Sequence, residues 1–493
     1  MKKYMLEIAV FFCGAIVMVY EIAGSRVVAP HFGTSIYVWT SLIGVILASL
    51  SLGYWLGGRI ADKNPSFRIL SLIILFSAAL IGLTTFVKEE ILQGLSIAFS
   101  GMMARTLLTA LLLFAPASIF LGMVSPYAVR LKLISVKTSG RTVGNLYAIS
   151  TLGSIFGTFL AGFFLIPWMG TQNILLLIGI LLVVIAAALN FSYRKNPGSA
   201  VAPLILLLVF AGAAYVYNTS KPNMIEVDTR YNKVQIFDTE YWITGEPIKV
   251  MKVNNEYSSA AYHDSDALVY EYLRFFRLAE HFKPGFKKAL MLGGAAYSFP
   301  VYYLNHYPHA QIDVVEIDPG LTQLAREHFG LKENERMHIY HEDARTFLNK
   351  QSGKYEVIYG DAYKSLMAIP FQLTSLEAAQ KKYTMLEDDG ILIENIIASL
   401  EGVQSEFLQA ELHTLKQVFP QTFVFACHDP EDTKLLQSIS LVALKSGTQP
   451  VFHNDDPGLQ AFLNNLVEIN IAGGTKILTD DYAPVEYFAM RAL

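Results

Sequence analysis

An apolar helical bundle followed by a doubly wound α/β domain is the architecture this sequence predicts, and three observations carry it. Residues 1–217 hold repeated apolar runs of membrane-spanning length, whereas most of the charge falls in residues 222–493. From residue 288 onward, short apolar β-type runs alternate with helix-type stretches, the pattern of a mostly parallel sheet wrapped by helices. Between these parts, "NKVQIFDTE" and "PIKVMKVNN" alternate in polarity like antiparallel strands, with "NNEYS" as turn material. The 493 residues therefore divide into a multi-pass helical domain over 1–220, a small β module over 221–265 and an α/β domain over 266–493.

A helix needs about 17–25 apolar residues to cross hydrocarbon. Seven runs qualify: about 5–24, 37–57, 69–87, 104–126, 143–167, 172–192 and 201–217. The first follows "MKK" but carries Glu21 and lacks a small-residue cleavage site, so it reads as a span rather than a signal peptide. Lys and Arg collect in cytoplasmic loops. Lys2 and Lys3, then Arg59 to Arg68, then Arg130 to Arg141, then Arg194 and Lys195 all fall on one side of such a bundle. The expected location is a plasma (inner) membrane with a cytoplasmic N-terminus. Seven spans put the C-terminal domain outside, whereas a cytosolic cosubstrate would place it inside. Glu21 and Arg26 read as an ion pair at a helix end, and Asp62 as a loop residue near the headgroups. "GSIFG" (Gly153 to Gly157) is a small-residue pattern for close helix packing.

Composition excludes several classes. A net charge of -4 offers no basic face for a nucleic acid. Two cysteines, Cys13 and Cys427, make neither a disulfide framework nor a metal site. No metal is expected, and His428 reads as a loop residue because no ligand partner has suitable spacing.

In the α/β domain the apolar runs are "KALML" (288–292), "IDVVEI" (312–317), "MHIYHE" (337–342), "YEVIYG" (355–360) and "GILIENI" (390–396). A helix is expected over 266–281. Ligands of such sheets bind at the carboxyl ends of the strands. The first strand end offers Gly293 and Gly294, small enough for a ribose or an amino-acid tail to approach the backbone. The second offers Glu316, whose carboxylate can accept hydrogen bonds from both ribose hydroxyls. The third offers Asp343, placed to accept from an adenine amine, and the fourth Asp361, facing the centre of the cleft. Each aspartate could equally cap a helix, but four polar groups at four successive strand ends favour a nucleoside site. The loop lacks the third glycine of a dinucleotide site. That disfavours NAD and tolerates a sulfonium nucleoside, which has no phosphates.

The segments "LGGAA", "VVEIDP", "HEDARTFL", "YEVIYGDAY" and "IPFQLTSLE" resemble the spermidine/spermine synthase (aminopropyltransferase) family. "YEIAGSRVVAPHFGTSIYVWTS", "GYWLGGRIAD", "GNLYAISTLGSIFG" and "LTDDYAPVEY" resemble its multi-span, membrane-bound spermidine synthase-like subfamily. The resemblance implies a Rossmann-like S-adenosylmethionine-dependent-transferase fold and decarboxylated S-adenosylmethionine as cosubstrate. It implies cosubstrate binding by Gly293, Gly294, Glu316, Ile317, Asp343 and Ala344. It implies Asp361 as the residue that holds the acceptor amine and takes its proton. The family's loop aspartate is replaced by Ala296, and the second aspartate expected after Asp361 is lost from "DAYKS", which brings Lys364. A pocket so changed is poorly suited to a dication such as putrescine. The family's Tyr-His-Glu run is matched at best by "YEY", Tyr270 to Tyr272. Tyr297, Tyr363 and Phe371 are candidates for an acceptor pocket, with core or lid packing as the alternative. Asp480 and Asp481 form a polar turn whose place the sequence leaves open.

The expectation is thus a membrane-anchored aminopropyltransferase-like enzyme acting on an amine, or a membrane-associated acceptor, other than plain putrescine. Its partners would be small molecules and the lipid bilayer, with no nucleic acid. A homodimer is an assembly the analogy to soluble relatives suggests. One alternative is methyl or aminocarboxypropyl transfer from intact S-adenosylmethionine. Another is a polyamine or nucleoside transporter or sensor with a non-catalytic synthase-like domain.

Overall fold

The computed structural model describes residues 4–99, 101–133, 135, 139–193, 203, 205–212, 224–362 and 369–491. The chain forms two compact units, Met1–Pro222 and Asn223–Leu493.

The first unit is helical: α1 (Met5–Phe32), α2 (Ile36–Lys63), α3 (Phe67–Ala98), α4 (Met102–Leu113), α5 (Ala115–Lys132), α6 (Ser139–Trp168) and α7 (Thr171–Tyr193). Five of these, α1, α2, α3, α6 and α7, are long and apolar enough to cross a membrane. The run expected as one span over 104–126 is instead the pair α4 and α5, bent by 52°. Pro116 lies in the first turn of α5 and has no N–H to offer the preceding turn. The Leu113 carbonyl at the break accepts from the Tyr20 hydroxyl of α1 at 2.9 Å and from Thr84 of α3 at 3.1 Å. The bend is thus satisfied from two neighbouring helices, as a buried carbonyl requires. The seventh run, 201–217, falls partly outside the described residues; its residues 205–212 are helical, and Phe210 packs against Gly82 and Gly179.

Small residues join α6 to α1. A Cβ on Gly153 would stand 2.0 Å from the Phe11 carbonyl oxygen, and one on Gly157 would stand 2.2 Å from that of Ala15. Side chains there would drive the helices apart. Asp62 lies in the last turn of α2, not in a loop, and pairs with Arg130 at 3.1 Å. Lys132 pairs with Glu7. These contacts gather the start of α1 and the ends of α2 and α5, with their basic residues, at one end of the unit.

The second unit opens with an antiparallel sheet, β1 (Met224–Asp228), β2 (Lys233–Glu240), β3 (Pro247–Val253) and β4 (Glu256–Tyr262), in sequential order. Asn254 and Asn255 make the β3–β4 turn with φ of 50° and 71°, the left-handed pair that a tight hairpin selects and asparagine tolerates. The helix expected over 266–281 is replaced by an extended entry and two short helices, Glu271–Phe275 and Leu278–Phe282. Leu268 bridges to Ala261 of β4, and Val269 is buried in the small sheet's apolar cluster. Tertiary burial holds that stretch extended against its helical pattern.

The main sheet comprises β5 (Lys288–Leu292), β6 (Gln311–Val315), β7 (Met337–Tyr340), β8 (Tyr355–Gly360), β9 (Leu386–Ala398), β10 (Gln421–Ala426), β11 (Gln437–Leu444) and β12 (Leu466–Val467). Its spatial order is β12-β10-β11-β9-β8-β5-β6-β7. Strands β5 to β9 pair in parallel, while β11 runs antiparallel between β9 and β10. Apolar clusters cover both faces. This is a Rossmann-like, doubly wound sheet whose strand order reverses between β5 and β8, the point where such sheets hold ligands.

Candidate active site

A cleft of about 410 Å³ opens at that reversal. Gly293 and Gly294 reach it from β5, Glu316 and Ile317 from β6, Asp343 and Ala344 from the turn after β7, Asp361 from β8 and Asn395 from β9.

The glycine loop is shaped by close approach. Gly293 has φ +96°, and a Cβ there would meet the Asp361 carbonyl oxygen at 2.4 Å. The turn therefore excludes any side chain on both conformational and steric grounds. Ala295 and Tyr297 also have positive φ, 45° and 60°, a local strain that the surroundings must hold. They do so through Glu316. Its Oε2 accepts from the N–H groups of Gly294 at 2.9 Å and Ala295 at 3.0 Å, and its Oε1 from Asp318 N–H at 2.9 Å. Burial pushes the Glu316 carboxyl above its ordinary range, and the three backbone N–H groups oppose that shift. Glu316 thus organises the loop while its carboxylate lines the cleft.

Ala296 is fully buried among Val234, Ile236, Met251 and Leu321. A carboxylate at this position would enter an apolar cluster unpaired, which is unfavourable. The sequence change and the packing agree.

Asp361 follows β8. Its Oδ2 accepts from the Tyr272 hydroxyl at 3.2 Å and its Oδ1 from Asn395 Nδ2 at 3.1 Å. Burial pushes its carboxyl up to about 6, against the lowering effect of those two hydrogen bonds. A carboxylate poised there can exchange a proton near neutral pH. Asp343 both lines the cleft and caps the helix Ala344–Lys350, accepting from Thr346 N–H at 2.9 Å. The capping role and the cleft-facing role are therefore held by one side chain.

Two of the three expected acceptor residues are placed differently. Tyr297 is not in the cleft wall: it is wholly buried in the core, with its hydroxyl 2.8 Å from Thr322 Oγ1. Its left-handed backbone turns the ring beneath the loop, under Gly294. Phe371 is 47% exposed and does not line the cleft. Tyr363 and Lys364 lie outside the described residues. Beside Asp361 the cleft is lined by Tyr270, Glu271, Tyr272 and Asn395 together with His428. His428, expected as a plain loop residue, sits on the turn after β10 with Nδ1 2.7 Å from Glu271 Oε2. The missed signal was its position past a strand end, the same criterion that selected Asp361. Of the cleft's described lining residues, six are carboxylates (Glu256, Glu271, Glu316, Glu342, Asp343 and Asp361), and none is Lys or Arg.

Residues 274–446 match the spermine/spermidine synthase domain family. The carboxyl-terminal part resembles the spermidine synthases. A probable polyamine aminopropyl transferase of Bifidobacterium longum is 27% identical over 226 residues, 42% of this chain and 49% of that protein. The chain thus spans about half the length of that relative. Polyamine aminopropyltransferase 1 of Streptomyces coelicolor is 22% identical over 419 residues, 79% of this chain and 75% of that one. A crystal structure of a probable spermidine synthase from Corynebacterium glutamicum superposes with a TM-score of 0.44 and 21% identity, covering 53% of this chain and 98% of that chain.

Proposed function

We propose that this chain is a membrane-anchored aminopropyltransferase that moves an aminopropyl group from decarboxylated S-adenosylmethionine to an amine other than plain putrescine. The observation that carries the reading is Asp361, a base tuned to about 6, in a cleft lined by six carboxylates and by no Lys or Arg among its described residues. Such a field favours two cations, a sulfonium and an ammonium. Among its described lining residues the cleft gives no Lys or Arg partner to the carboxylate of intact S-adenosylmethionine.

In this reading Glu316 accepts from one ribose hydroxyl at the single lone-pair site its three backbone donors leave free, and Asp343 receives the adenine amine. The acceptor enters as an ammonium. Asp361 takes one of its protons, and the freed nitrogen lone pair attacks the methylene next to the sulfonium. The carbon–sulfur bond breaks as the carbon–nitrogen bond forms, and the sulfonium leaves as the neutral thioether methylthioadenosine. Holding both reactants against Asp361 in one cleft supplies proximity. The first unit would span the cytoplasmic membrane, with its basic end, which includes the N-terminus, on the cytoplasmic side.

Calorimetric titration of the full-length, detergent-solubilised protein with decarboxylated S-adenosylmethionine, S-adenosylmethionine and methylthioadenosine tests this, with Glu316→Ala as control. The expected result is tighter binding of the decarboxylated form, lost in the variant. Preference for the intact form would move the reading to methyl or aminocarboxypropyl transfer. Binding of none would leave a transporter or sensor.

A further inference from the structure

Behind the cleft lie three ionisable side chains that the proposed reaction does not use. Lys382, on the helix Leu376–Met385, is 1% exposed, and Glu411, on the helix Glu406–Leu415, is 3% exposed. The third is Glu394 of β9, also buried. Successive residues of a strand face opposite sides of the sheet. Asn395 therefore meets Asp361 on one side. Glu394 turns to the other, between Leu392 and Ile396 of the apolar cluster there. A Cβ on Gly360 would stand 2.8 Å from Glu394 Oε1, so the glycine that precedes Asp361 leaves room for that carboxylate.

Lys382 ties two parts of the site together. Its Nζ donates to Glu394 Oε1 at 2.5 Å and to the Leu373 carbonyl at 2.7 Å. Leu373 lines the cleft, whereas Lys382, Glu394 and Glu411 do not. The ammonium thus joins a piece of cleft wall to the strand whose next residue holds Asp361.

The hydrogen bonding of this group is complete only with one more proton. Glu394 Oε2 and Glu411 Oε2 are both buried without a partner among the described residues. Two carboxylates cannot bond each other because both only accept, but a carboxylic acid O–H can donate. Charge leads to the same result. One ammonium between two carboxylates would leave a net negative charge in an apolar core, which is costly. Burial and the Glu394 carboxylate push the Glu411 carboxyl well above its ordinary range, against the Lys382 ammonium. The other charged groups of the Glu411 helix are engaged elsewhere. Glu406 pairs with Arg491 at 2.8 Å, and His413 Nδ1 lies 3.0 Å from the Thr475 carbonyl oxygen.

We infer that Glu411 donates a carboxylic O–H to Glu394 Oε2, closing a neutral Lys382–Glu394–Glu411 clasp that positions the Leu373 wall of the cleft against β9. The three are positioning residues, since they shape the cleft without lining it. The clasp goes beyond the aminopropyl-transfer reading and does not depend on it.

The test uses full-length protein in detergent at neutral pH, with glutamate carbon-13 labelled at the side-chain carboxyl. Its infrared spectrum should contain the carbonyl stretch of a protonated Glu carboxyl, and Glu411→Gln should remove that band. The Gln amide can donate to Glu394 Oε2 as the acid does, whereas Glu411→Leu leaves that oxygen bare. Deuterium uptake by the backbone of Ile369–Leu376 should therefore match the unaltered protein in Glu411→Gln. In Glu411→Leu it should be about tenfold faster, the size of a lost hydrogen bond. If Glu411→Leu does not fold, Lys382→Met takes its place. That variant should show faster uptake over the same segment and a second protonated-carboxyl band, as Glu394 takes a proton in place of its lost partner. A protonated band that Glu411→Gln leaves intact overturns the inference. Equal uptake in every variant, or a Glu411→Gln protein that behaves as Glu411→Leu does, overturns it as well. Neither readout involves a nucleoside or an amine, so failure of the clasp and failure of the transfer reading are separate results.

Discussion

The Tyr272 hydroxyl donates to Asp361 Oδ2 at 3.2 Å, and Asn395 Nδ2 donates to Oδ1 at 3.1 Å. Both bonds favour the charged carboxylate, while burial favours the protonated form and prevails, placing the group at about 6. In the proposed transfer Asp361 is the base, so kcat/KM should rise as pH increases through about 6. Tyr272→Phe removes a bond that lowers the value. The acidic limb should therefore move to higher pH in that variant. A limb that stays in place would mean that Tyr272 does not tune Asp361.

Asp361→Asn keeps the shape of the side chain and removes its basicity. Turnover should fall about 100- to 10,000-fold, the range for loss of a positioned general base. Affinity for methylthioadenosine, read by calorimetry, should hold, because the proposed nucleoside contacts come from the β6 and β7 ends. Unchanged turnover would transfer the role of base to another group.

Glu316→Ala should be costlier to binding than a single ligand contact explains. The carboxylate accepts from Gly294, Ala295 and Asp318 N–H groups, and its loss leaves three backbone donors unsatisfied around a loop with positive φ at Ala295 and Tyr297. Nucleoside affinity should fall at least about tenfold and the melting temperature should drop together with it. Loss of affinity with an unchanged melting temperature would limit Glu316 to ligand contact.

Much of this site was legible because a parallel sheet concentrates function at strand ends, and apolar β runs mark those ends directly in the sequence. Glu316, Asp343 and Asp361 were found that way. Tyr297 was not placed correctly because its direction depends on a left-handed backbone that its identity does not signal. Glu271 and His428 meet only because β11 inserts between β9 and β10, a sheet order that hydropathy does not encode. In the helical unit, run length marked five long apolar helices. The 52° break between α4 and α5 depends on Tyr20 and Thr84 arriving from elsewhere in the chain. Pro116 alone marks its position.

The C-terminal "LTDDYAP" turn acts on the cleft through Arg345. Asp480 accepts from Arg345 Nη2 and from Ser375 Oγ, both at 2.5 Å, while Arg345 Nη1 donates to the Gln372 carbonyl at 2.9 Å. Gln372 and Leu373 line the cleft. Asp480→Ala leaves a largely buried guanidinium without its carboxylate and should destabilise by about 1–3 kcal/mol. KM for the cosubstrate should rise, with kcat less affected, since no reacting group is touched. An effect on kcat alone would contradict this bracing role.

The helical unit permits a test on a single helix. Gly153 of α6 faces the Phe11 carbonyl oxygen, with only 2.0 Å for a Cβ, whereas Gly144 of the same helix has open space around it. Gly153→Leu must separate α6 from α1, so the detergent-solubilised protein should melt at a lower temperature. Gly144→Leu adds the same apolar bulk where nothing is displaced and should melt as the unaltered protein does. The second unit has its own core, with β5 to β9 packed on both faces, so methylthioadenosine affinity should be equal in both variants. If Gly153→Leu lowers that affinity as well as the melting temperature, the second unit does not fold independently of the first.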